Sequence, residues 1–394
     1  MAVEHPGQVR FHNGGKAALP FEAMEYDDRL QGLRDIIEMH GLDAVVLTSA
    51  QNMAYYSGLL HGGEGLRGCV VTLADCVVIG AQSDGGWPWR RSFGDAICHA
   101  GGPADFWRAV AAVVGEGRAV GCEADHLTLT QAEALNGVLR PKRGMDISAA
   151  TLQQRTVKSP AEIALIRQAA AVADLGAEAI RDGVRAGAGE WQVAMAGRDA
   201  MEREIAARFP EAEYGGTRAW VRSGLNSDGA HAPLTGRRLQ RGDILSMSLC
   251  PVISGYGVAL GRTLFLGAVD AASLAVWQAG VDCRDHGLTL LRPGASCAGV
   301  ADAMDGLLAE RGMALFRRAG VGKPQACEAA LDLRAADDTV LEPGMVVSLA
   351  PMLTVPDGQP GAGGYCMQDT VVIADEGAEA LAACPSGPAG NVIG

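Results

Sequence analysis

The sequence contains no apolar run long enough to cross a membrane, which takes about 20 consecutive apolar residues. Its first residues, 1–6, also lack the positive flank and apolar core of a secretory signal peptide. These two absences argue against a membrane protein and predict a cytoplasmic one.

Cysteine-based sites are also missing, although the chain has ten cysteines. No two of them form the C-x-x-C pair of a zinc site, and their density is far below that of a disulfide scaffold. We therefore expect reduced and mostly buried thiols.

Basic residues are scarce, and lysine occurs only at positions 16, 142, 158 and 323. The 33 Lys and Arg against 46 Asp and Glu give a net charge of -13 and a pI near 5.1. Nucleic acids and anionic membranes select basic surfaces, so neither is expected as a partner. With 48% hydrophobic residues, 394 residues are enough for two domains and a buried pocket.

The first part of the chain alternates short apolar runs with helical segments, for example residues 43–48 after residues 26–40. Such alternation predicts an α/β domain with a mixed sheet.

A helix start opens the second part. Ser159 is a typical N-cap, Pro160 suits the first turn, and Glu162 completes a capping box, which predicts a helix to about Gly183. Further helices are predicted over 190–209, 271–291 and 297–311, and strands over 217–221, 244–250, 262–266, 346–349 and 370–373. We place the first domain over residues 1–157 and the second over residues 158–394.

Five segments of the second part carry a family resemblance: NSDGAH (226–231), GDILS (242–246), RTLF (262–265), LEPGMVVSLAP (341–351) and GAGGY (361–365). In order and spacing they resemble creatinase, which shares the pita-bread fold of aminopeptidase P and prolidase in peptidase family M24. The resemblance starts near Phe21 and implies an α/β N-terminal domain, an α+β pita-bread C-terminal domain whose curved sheet carries the site, and a homodimer.

The resemblance also identifies where metal ligands would lie. In the metallopeptidase branch, two aspartates, one histidine and two glutamates bind a pair of divalent ions. The matched positions here hold Ser248, Ala259, Lys323, Ala350 and Gln368. None of these is an ordinary anionic ligand, so we predict neither a metal site nor any other cofactor.

Creatinase works without metal. The resemblance implies a histidine that exchanges a proton with the substrate, and glutamates that hold the guanidinium and activate water. His231 takes the histidine position, but Gly261 and Ala350 take two glutamate positions. Glycine and alanine can neither bind a cation nor deprotonate water, so creatine hydrolysis by this route is not expected. The segment 318–331 is also shorter than in creatinase and lacks an arginine that binds the substrate carboxylate there.

Two residues are the candidate catalytic groups. His231 is the familial catalytic residue that this chain keeps, although a lone histidine is more often structural. Lys323 takes the position of a metal-binding histidine, where a lysine can act as a base, as a Schiff-base nucleophile or as a replacement cation. It can equally be an exposed residue of the shortened segment.

Four further residues are candidate substrate contacts. Arg67 follows a glycine-rich segment, near an arginine that in creatinase meets the substrate carboxylate from the partner subunit. Gln368 offers an amide for a neutral polar group, Tyr256 a hydroxyl, and Cys366 a thiol that is more simply a small buried hydrophobe.

These observations favour a metal-independent, creatinase-like enzyme repurposed for acid/base chemistry on a small molecule derived from an amino acid or guanidino compound. Elimination, isomerisation, cyclisation or C–N bond cleavage fits the loss of water-activating carboxylates, and a specialised biosynthetic pathway suits such divergence. A noncatalytic binding or regulatory protein and a C–N hydrolase with relocated residues are the alternatives.

Overall fold

The computed structural model describes residues 7–60, 65–99, 101–213, 215–229, 232–313, 317–318, 331–332 and 338–394. The chain divides into two compact units, Met1–Arg155 and Thr156–Gly394. Among the helices that the structure describes, none is both long enough and apolar enough to pass through a lipid bilayer.

The first unit consists of seven strands and six helices in the described ranges. The strands are β1 (Gln8–Phe11), β2 (Ala44–Leu47), β3 (Gly68–Val71), β4 (Cys76–Ala81), β5 (Asp95–His99), β6 (Ala119–Cys122) and β7 (Arg143–Asp146). The helices are α1 (Ala23–His40), α2 (Ala50–Ser57), α3 (Trp87–Arg90), α4 (Pro103–Val114), α5 (Leu129–Leu139) and α6 (Ser148–Thr156).

The strands of this unit form one mixed sheet in the order β1-β5-β4-β3-β2-β6-β7. Strand β2 is parallel to β6 but antiparallel to β3, and β4 is parallel to β5. One apolar cluster contains Leu30 and Tyr56, and a second contains Phe106 and Trp107. Successive residues of β2 belong to alternate clusters, as expected for a strand covered on both faces. The predicted α/β domain is confirmed.

The second unit consists of four long helices and thirteen short strands in the described ranges. The helices are α7 (Pro160–Gly183), α8 (Glu190–Arg208), α9 (Ala271–Leu290) and α10 (Cys297–Glu310). The strands are β8 (Arg218–Ser223), β9 (Ile244–Cys250), β10 (Val252–Ile253), β11 (Tyr256–Gly257), β12 (Leu260–Leu266), β13 (Arg317–Arg318), β14 (Leu331–Asp332), β15 (Val346–Leu349), β16 (Met352–Val355), β17 (Gly363–Cys366), β18 (Asp369–Ala374), β19 (Gly377–Ala380) and β20 (Val392–Ile393).

Local sequence signals explain where the long helices begin. The Ser159 hydroxyl accepts from the Glu162 amide, and the Glu162 carboxylate accepts from the Ser159 amide, which is the predicted capping box. Asp270 and Ser296 cap α9 and α10 through their side-chain oxygens. All four predicted helices agree with the structure to within one residue at each end.

Two four-stranded sheets of this unit meet at one point. Their orders are β20-β12-β9-β8 and β14-β15-β18-β19. Gly261 and Gln368 exchange two backbone hydrogen bonds of 2.9 Å, which join β12 to the residue that precedes β18. This bridge makes the two sheets neighbours.

Candidate functional site

The centre of the site is a row of four residues that lie side by side across the sheet. Pairing of β8, β9 and β12 places Trp220 opposite Ser248 and Ser248 opposite Gly261, and the bridge continues from Gly261 to Gln368. Directly opposite residues of paired strands present their side chains on the same face. We call Trp220, Ser248, Gly261 and Gln368 the central row. It brings together Ser248, Gly261 and Gln368, three positions that the resemblance matches to a metal ligand or a catalytic glutamate of the family.

Gly261 is hemmed in on the side where a side chain would project. A Cβ atom there would lie 2.4 Å from Cys366 Sγ and 2.9 Å from the Cβ atom of Gln368. Both distances are too short for carbon and sulfur atoms in contact. A side chain at position 261 would therefore require Cys366 or Gln368 to move.

Cys366 lies at the end of β17 and is 3% exposed. Its amide donates to the Thr263 hydroxyl at 2.8 Å. Burial raises the pKa of the thiol to about 11, although the charge of Arg262 and a hydrogen bond with Ser248 act in the opposite direction. At neutral pH the thiol is protonated, and it fills the sheet as a small neutral group.

Gln368 is 5% exposed and donates from Nε2 to Ser348 Oγ at 3.1 Å. Its backbone is held by the bridge to Gly261. The amide is uncharged, so this member of the row supplies no carboxylate.

The acid next to the row is committed to a buried ion-pair network. Asp369 accepts from Arg262 Nη2 at 2.7 Å and from Arg284 Nε at 2.8 Å, and it is fully buried. Arg262 also donates to the Cys384 carbonyl. Asp369 therefore ties β12, α9 and, through Arg262, the C-terminal segment together.

The described residues on both sides of His231 are anchored by one buried carboxylate, Glu190. It accepts hydrogen bonds from the Ser223 amide and hydroxyl at 2.8 and 2.7 Å, from Asn226 at 3.2 Å and from the Thr235 hydroxyl at 2.6 Å. Burial alone would raise the pKa of Glu190, but these hydrogen bonds together lower it below its ordinary value. Glu190 thus holds the chain before and after the familial histidine.

Two other contacts fix the same segment. Arg222 donates from Nε to the Ala232 carbonyl at 2.7 Å, directly after His231 in sequence. The Gly364 amide donates to Ser227 Oγ at 2.9 Å, and a Cβ at Gly364 would lie 1.9 Å from the Ser227 carbonyl oxygen. Only glycine allows β17 to approach this turn so closely.

The two candidate catalytic residues, His231 and Lys323, lie outside the described residues, so their roles stay predictions. Ala259 and Ala350, at two further matched positions, are partly exposed and contribute no polar side chain.

Two candidate substrate contacts have protein partners. Tyr256 donates its hydroxyl to Glu162 at 2.8 Å and is 2% exposed. In the first unit, Arg67 forms a two-pronged ion pair with Asp84, at 2.7 Å from Nε and 2.5 Å from Nη2, and is 7% exposed. Both side chains are thereby oriented by neighbours, and their part in substrate binding stays a prediction.

The donors at the matched positions do not suit a pair of hard divalent ions. Ser248, Ala259, Ala350 and Gln368 offer at most a hydroxyl and an amide, whereas such ions need several anionic oxygens. Within the described ranges, no group of three or more His, Cys, Asp or Glu side chains is arranged to hold a metal ion.

Family comparisons agree with this architecture. Residues 164–375 match the model of metallopeptidase family M24, and residues 29–157 match the creatinase/prolidase N-terminal domain. The chain belongs to family M24. Creatinase from Bacillus sp. (strain B-0618) is 40% identical over 97% of this chain and 96% of its own length. Ectoine hydrolase from Halomonas elongata is 23% identical over 94% of this chain and 98% of its own length.

Solved M24 structures share the fold at low identity. Prolidase from Pyrococcus horikoshii OT3 superposes with a TM-score of 0.79 at 19% identity, covering 91% of this chain and 99% of that one. X-Pro aminopeptidase from Thermotoga maritima superposes with a TM-score of 0.81 at 18% identity, covering 92% of this chain and 99% of that one. The creatinase-like pita-bread fold that the motifs predict is therefore confirmed.

Sequence reasoning missed three site residues. Glu190 gave no signal, because its partners lie 33 to 45 positions away. Trp220 and Arg222 form an alternating pattern with Arg218 that indicates one face of β8, but only the strand pairing shows that this face adjoins the row.

Proposed function

We propose that this M24 protein is a metal-independent, creatinase-like enzyme that performs acid/base chemistry on a small molecule derived from an amino acid or guanidino compound. Elimination, isomerisation, cyclisation and C–N bond cleavage are the reactions it would support. We also propose that it acts as a cytoplasmic homodimer.

The main support is the contrast between the central row and the segment around His231. In the row, Gly261 supplies no carboxylate, and a Cβ atom there would require Cys366 or Gln368 to shift. On both sides of His231, by contrast, Glu190 and Arg222 hold the chain through buried hydrogen bonds. Described residues held this firmly on both sides suit a histidine between them that must be positioned for proton transfer.

In this proposal His231 takes a proton from the substrate and returns it to another substrate atom or to the leaving group. Lys323 would supply a cation or second acid/base group. No described member of the central row is a carboxylate that could take a proton from water, so in this proposal the proton is taken from the substrate and not from a hydrolytic water.

Ordinary creatinase activity is the second candidate, favoured by the 40% identity along almost the whole chain. It would require a different group to hold the guanidinium, since Gly261 and Ala350 cannot. A noncatalytic binding protein is the third candidate.

One experiment separates the three. Purified protein is incubated with creatine and, separately, with a bacterial metabolite pool, and both mixtures are followed by native and small-molecule mass spectrometry. We expect a metabolite other than creatine to bind and to be converted, with conversion lost in His231→Ala. The matched control is His286→Ala, which changes a histidine on α9.

Consumption of creatine at a rate typical of enzymes would establish the second candidate instead. Binding without conversion that is the same in the wild type and in His231→Ala would establish a binding protein.

A further inference from the structure

Two thiols of the first unit lie against each other on β3 and β4. The sulfur atoms of Cys69 and Cys76 are 3.5 Å apart. The two strands pair antiparallel, with Cys69 opposite Val78 and Cys76 opposite Val71, so the cysteines are diagonal neighbours on one face of the sheet. All four side chains belong to the same apolar cluster. The strand pairing therefore holds the two thiols side by side.

The gap between the two sulfur atoms is small compared with what a disulfide bond requires. The S–S distance in a disulfide is about 2.0 Å, so the atoms must approach by about 1.5 Å from their separation of 3.5 Å. Rotation about the two Cα–Cβ bonds can supply a movement of this size. The turn between the strands is closed by a hydrogen bond of 2.9 Å from the Thr72 amide to the Asp75 carbonyl. The hairpin thus keeps the thiols close to bonding distance.

The two thiols differ in their surroundings. Cys69 is fully buried, and its hydrogen bond with Cys76 together with its burial raises the pKa of the Cys69 thiol. Cys76 is 7% exposed, and its charge interacts with that of Lys16, a residue exposed to solvent. The Lys16 ammonium donates to the carbonyls of Ser92 and Gly94 at 2.6 and 2.7 Å, so its position is fixed. A cation therefore stands near the more accessible of the two thiols.

Lys16 favours the anionic form of Cys76. Burial lowers the pKa of Lys16, whereas the charges of Asp95 and Cys76 raise it. Because this interaction is mutual, a Cys76 thiolate that stabilises the ammonium is stabilised by it. The thiolate is the form of cysteine that reacts with peroxides. We therefore expect Cys76 to react first and Cys69 to react with the oxidised Cys76.

We propose that Cys69 and Cys76 are a peroxide-sensitive thiol pair that forms a reversible disulfide between β3 and β4. The oxidant is a hydroperoxide. The Cys76 thiolate attacks one peroxide oxygen, the O–O bond breaks, and Cys76 becomes a sulfenic acid, while the other oxygen takes a proton and leaves as an alcohol or as water. The Cys69 sulfur then displaces the hydroxyl group from Cys76, and this group leaves as water with the Cys69 proton. Two thiols are thereby oxidised to one disulfide, and the peroxide is reduced.

Peptide mapping tests this directly, because the tryptic peptide 68–90 contains both cysteines and no others. Reduced full-length protein is treated with hydrogen peroxide, unfolded in iodoacetamide, digested and analysed by mass spectrometry. We expect peptide 68–90 to lose the mass of two hydrogen atoms and to carry no alkyl group. Dithiothreitol added before the alkylation should restore two alkylated cysteines.

Variants test the order of the two steps. Cys69→Ala should accumulate a sulfenic acid at Cys76, which dimedone traps, whereas Cys76→Ala should leave Cys69 reduced. Lys16→Gln should slow disulfide formation at least about threefold, and Lys16→Arg, which keeps the charge, should slow it less. The matched control is Cys122→Ala on β6, which removes a partly exposed cysteine and should leave the oxidation of peptide 68–90 unchanged. Circular dichroism melting curves verify that each variant is folded.

The result in the wild type does not depend on any variant or on turnover, so failure of the proposed function would leave it intact. Two alkylated cysteines in peptide 68–90 after peroxide treatment would overturn the inference. A disulfide from either residue to a different cysteine, or a sulfinic acid at Cys76 in place of the disulfide, would also overturn it. Trapping of Cys69 by dimedone in Cys76→Ala would contradict the assigned order of the steps.

Discussion

At the scale of single residues, Gly261 and Cys366 depend on each other. The thiol occupies the volume that a side chain at position 261 would need, with Sγ 2.4 Å from an ideal Cβ. The glycine at position 261 and the thiol of Cys366 are therefore two parts of one packing arrangement.

The first prediction concerns that packing. Gly261→Ala should destabilise the protein by about 1–3 kcal/mol, because the new methyl group must displace Cys366 or the bridge to Gln368. In a Cys366→Ala background the same change should cost much less, since the sulfur atom is gone. The measurement is urea unfolding of the two single variants and the double variant.

Gly306→Ala on α10 is the matched control, because nothing lies within 4 Å of a Cβ at that position. It should stabilise the protein by about 0.5–1 kcal/mol, as alanine favours helix over glycine. Additive costs of Gly261→Ala and Cys366→Ala in the double variant would contradict the proposed mutual packing.

The second prediction follows from the pKa of the Cys366 thiol, which burial raises to about 11. In the unfolded chain a thiol ionises near its ordinary pKa of roughly 8.5–9, whereas in the folded protein it stays protonated. The contribution of the Cys366 thiol to the free energy of unfolding is therefore complete below the pKa of the unfolded chain. It is lost as the pH rises from there toward 11. The wild type should therefore lose about 2–3 kcal/mol more than Cys366→Ala between pH 8 and pH 11.

Urea unfolding at pH 8, 9.5 and 11 measures this difference, and the Cys366→Ala variant corrects for the other titrating groups. Equal losses in the two proteins would mean that the thiol ionises as readily in the folded state as in the unfolded one.

At the scale of elements, the N-terminus of α8 organises the site segment. Glu190, its first residue, collects hydrogen bonds from the end of β8, the following 3₁₀ turn and Thr235. One carboxylate thus joins a helix, a strand and the chain on both sides of His231.

The third prediction is that Glu190→Ala destabilises the protein by about 2–4 kcal/mol at pH 7, because Ser223, Asn226 and Thr235 lose their buried acceptor. Since the folded-state pKa of Glu190 is lowered, its contribution is present above the ordinary pKa of about 4.3 and is lost as the pH falls through the folded value. The difference between wild type and variant should therefore shrink in acid. Chemical unfolding at pH 7, pH 4 and pH 3 measures it.

Glu202→Ala on the same helix is the control. Its carboxylate is 43% exposed and pairs with Arg198 at 3.7 Å, so the cost should stay below about 1 kcal/mol at both pH values. A Glu190→Ala cost no larger than this would show that the carboxylate does not organise the segment.

Helices and strands could be predicted from the sequence where the residues that define them are neighbours in the chain. The capping box of Ser159 and Glu162 involves neighbours in the chain, and it correctly marked the start of α7. The central row could not be derived in this way, because Gly261 and Gln368 are more than 100 positions apart and meet only through the bridge. The motif resemblance supplied those positions, but not the filled space at Gly261.

At the scale of the whole molecule, the protein has the fold of a metallopeptidase family. The described residues at the matched metal-ligand positions do not suit divalent metal ions. The fold is set by apolar cores and by backbone pairing, which do not require any particular side chain at the site. Ligand positions can therefore change to Ser248, Ala259, Ala350 and Gln368 while the architecture persists.

The fourth prediction is that divalent metals leave this protein unchanged. A ligand that binds only the folded state raises the melting temperature, and a site with several carboxylates would do so strongly with Mn²⁺, Co²⁺ or Zn²⁺. With a hydroxyl, an amide and two methyl groups at the described matched positions, we expect a shift below about 1 °C at millimolar metal, and no effect of EDTA. Differential scanning fluorimetry measures the shift, with sodium chloride at matched ionic strength as the control.

Elemental analysis of the purified protein should find less than stoichiometric metal. A stoichiometric ion whose removal by EDTA lowers the melting temperature would show that other residues of the chain supply the missing anionic donors, and hydrolysis assisted by that ion would then replace proton transfer as the preferred chemistry.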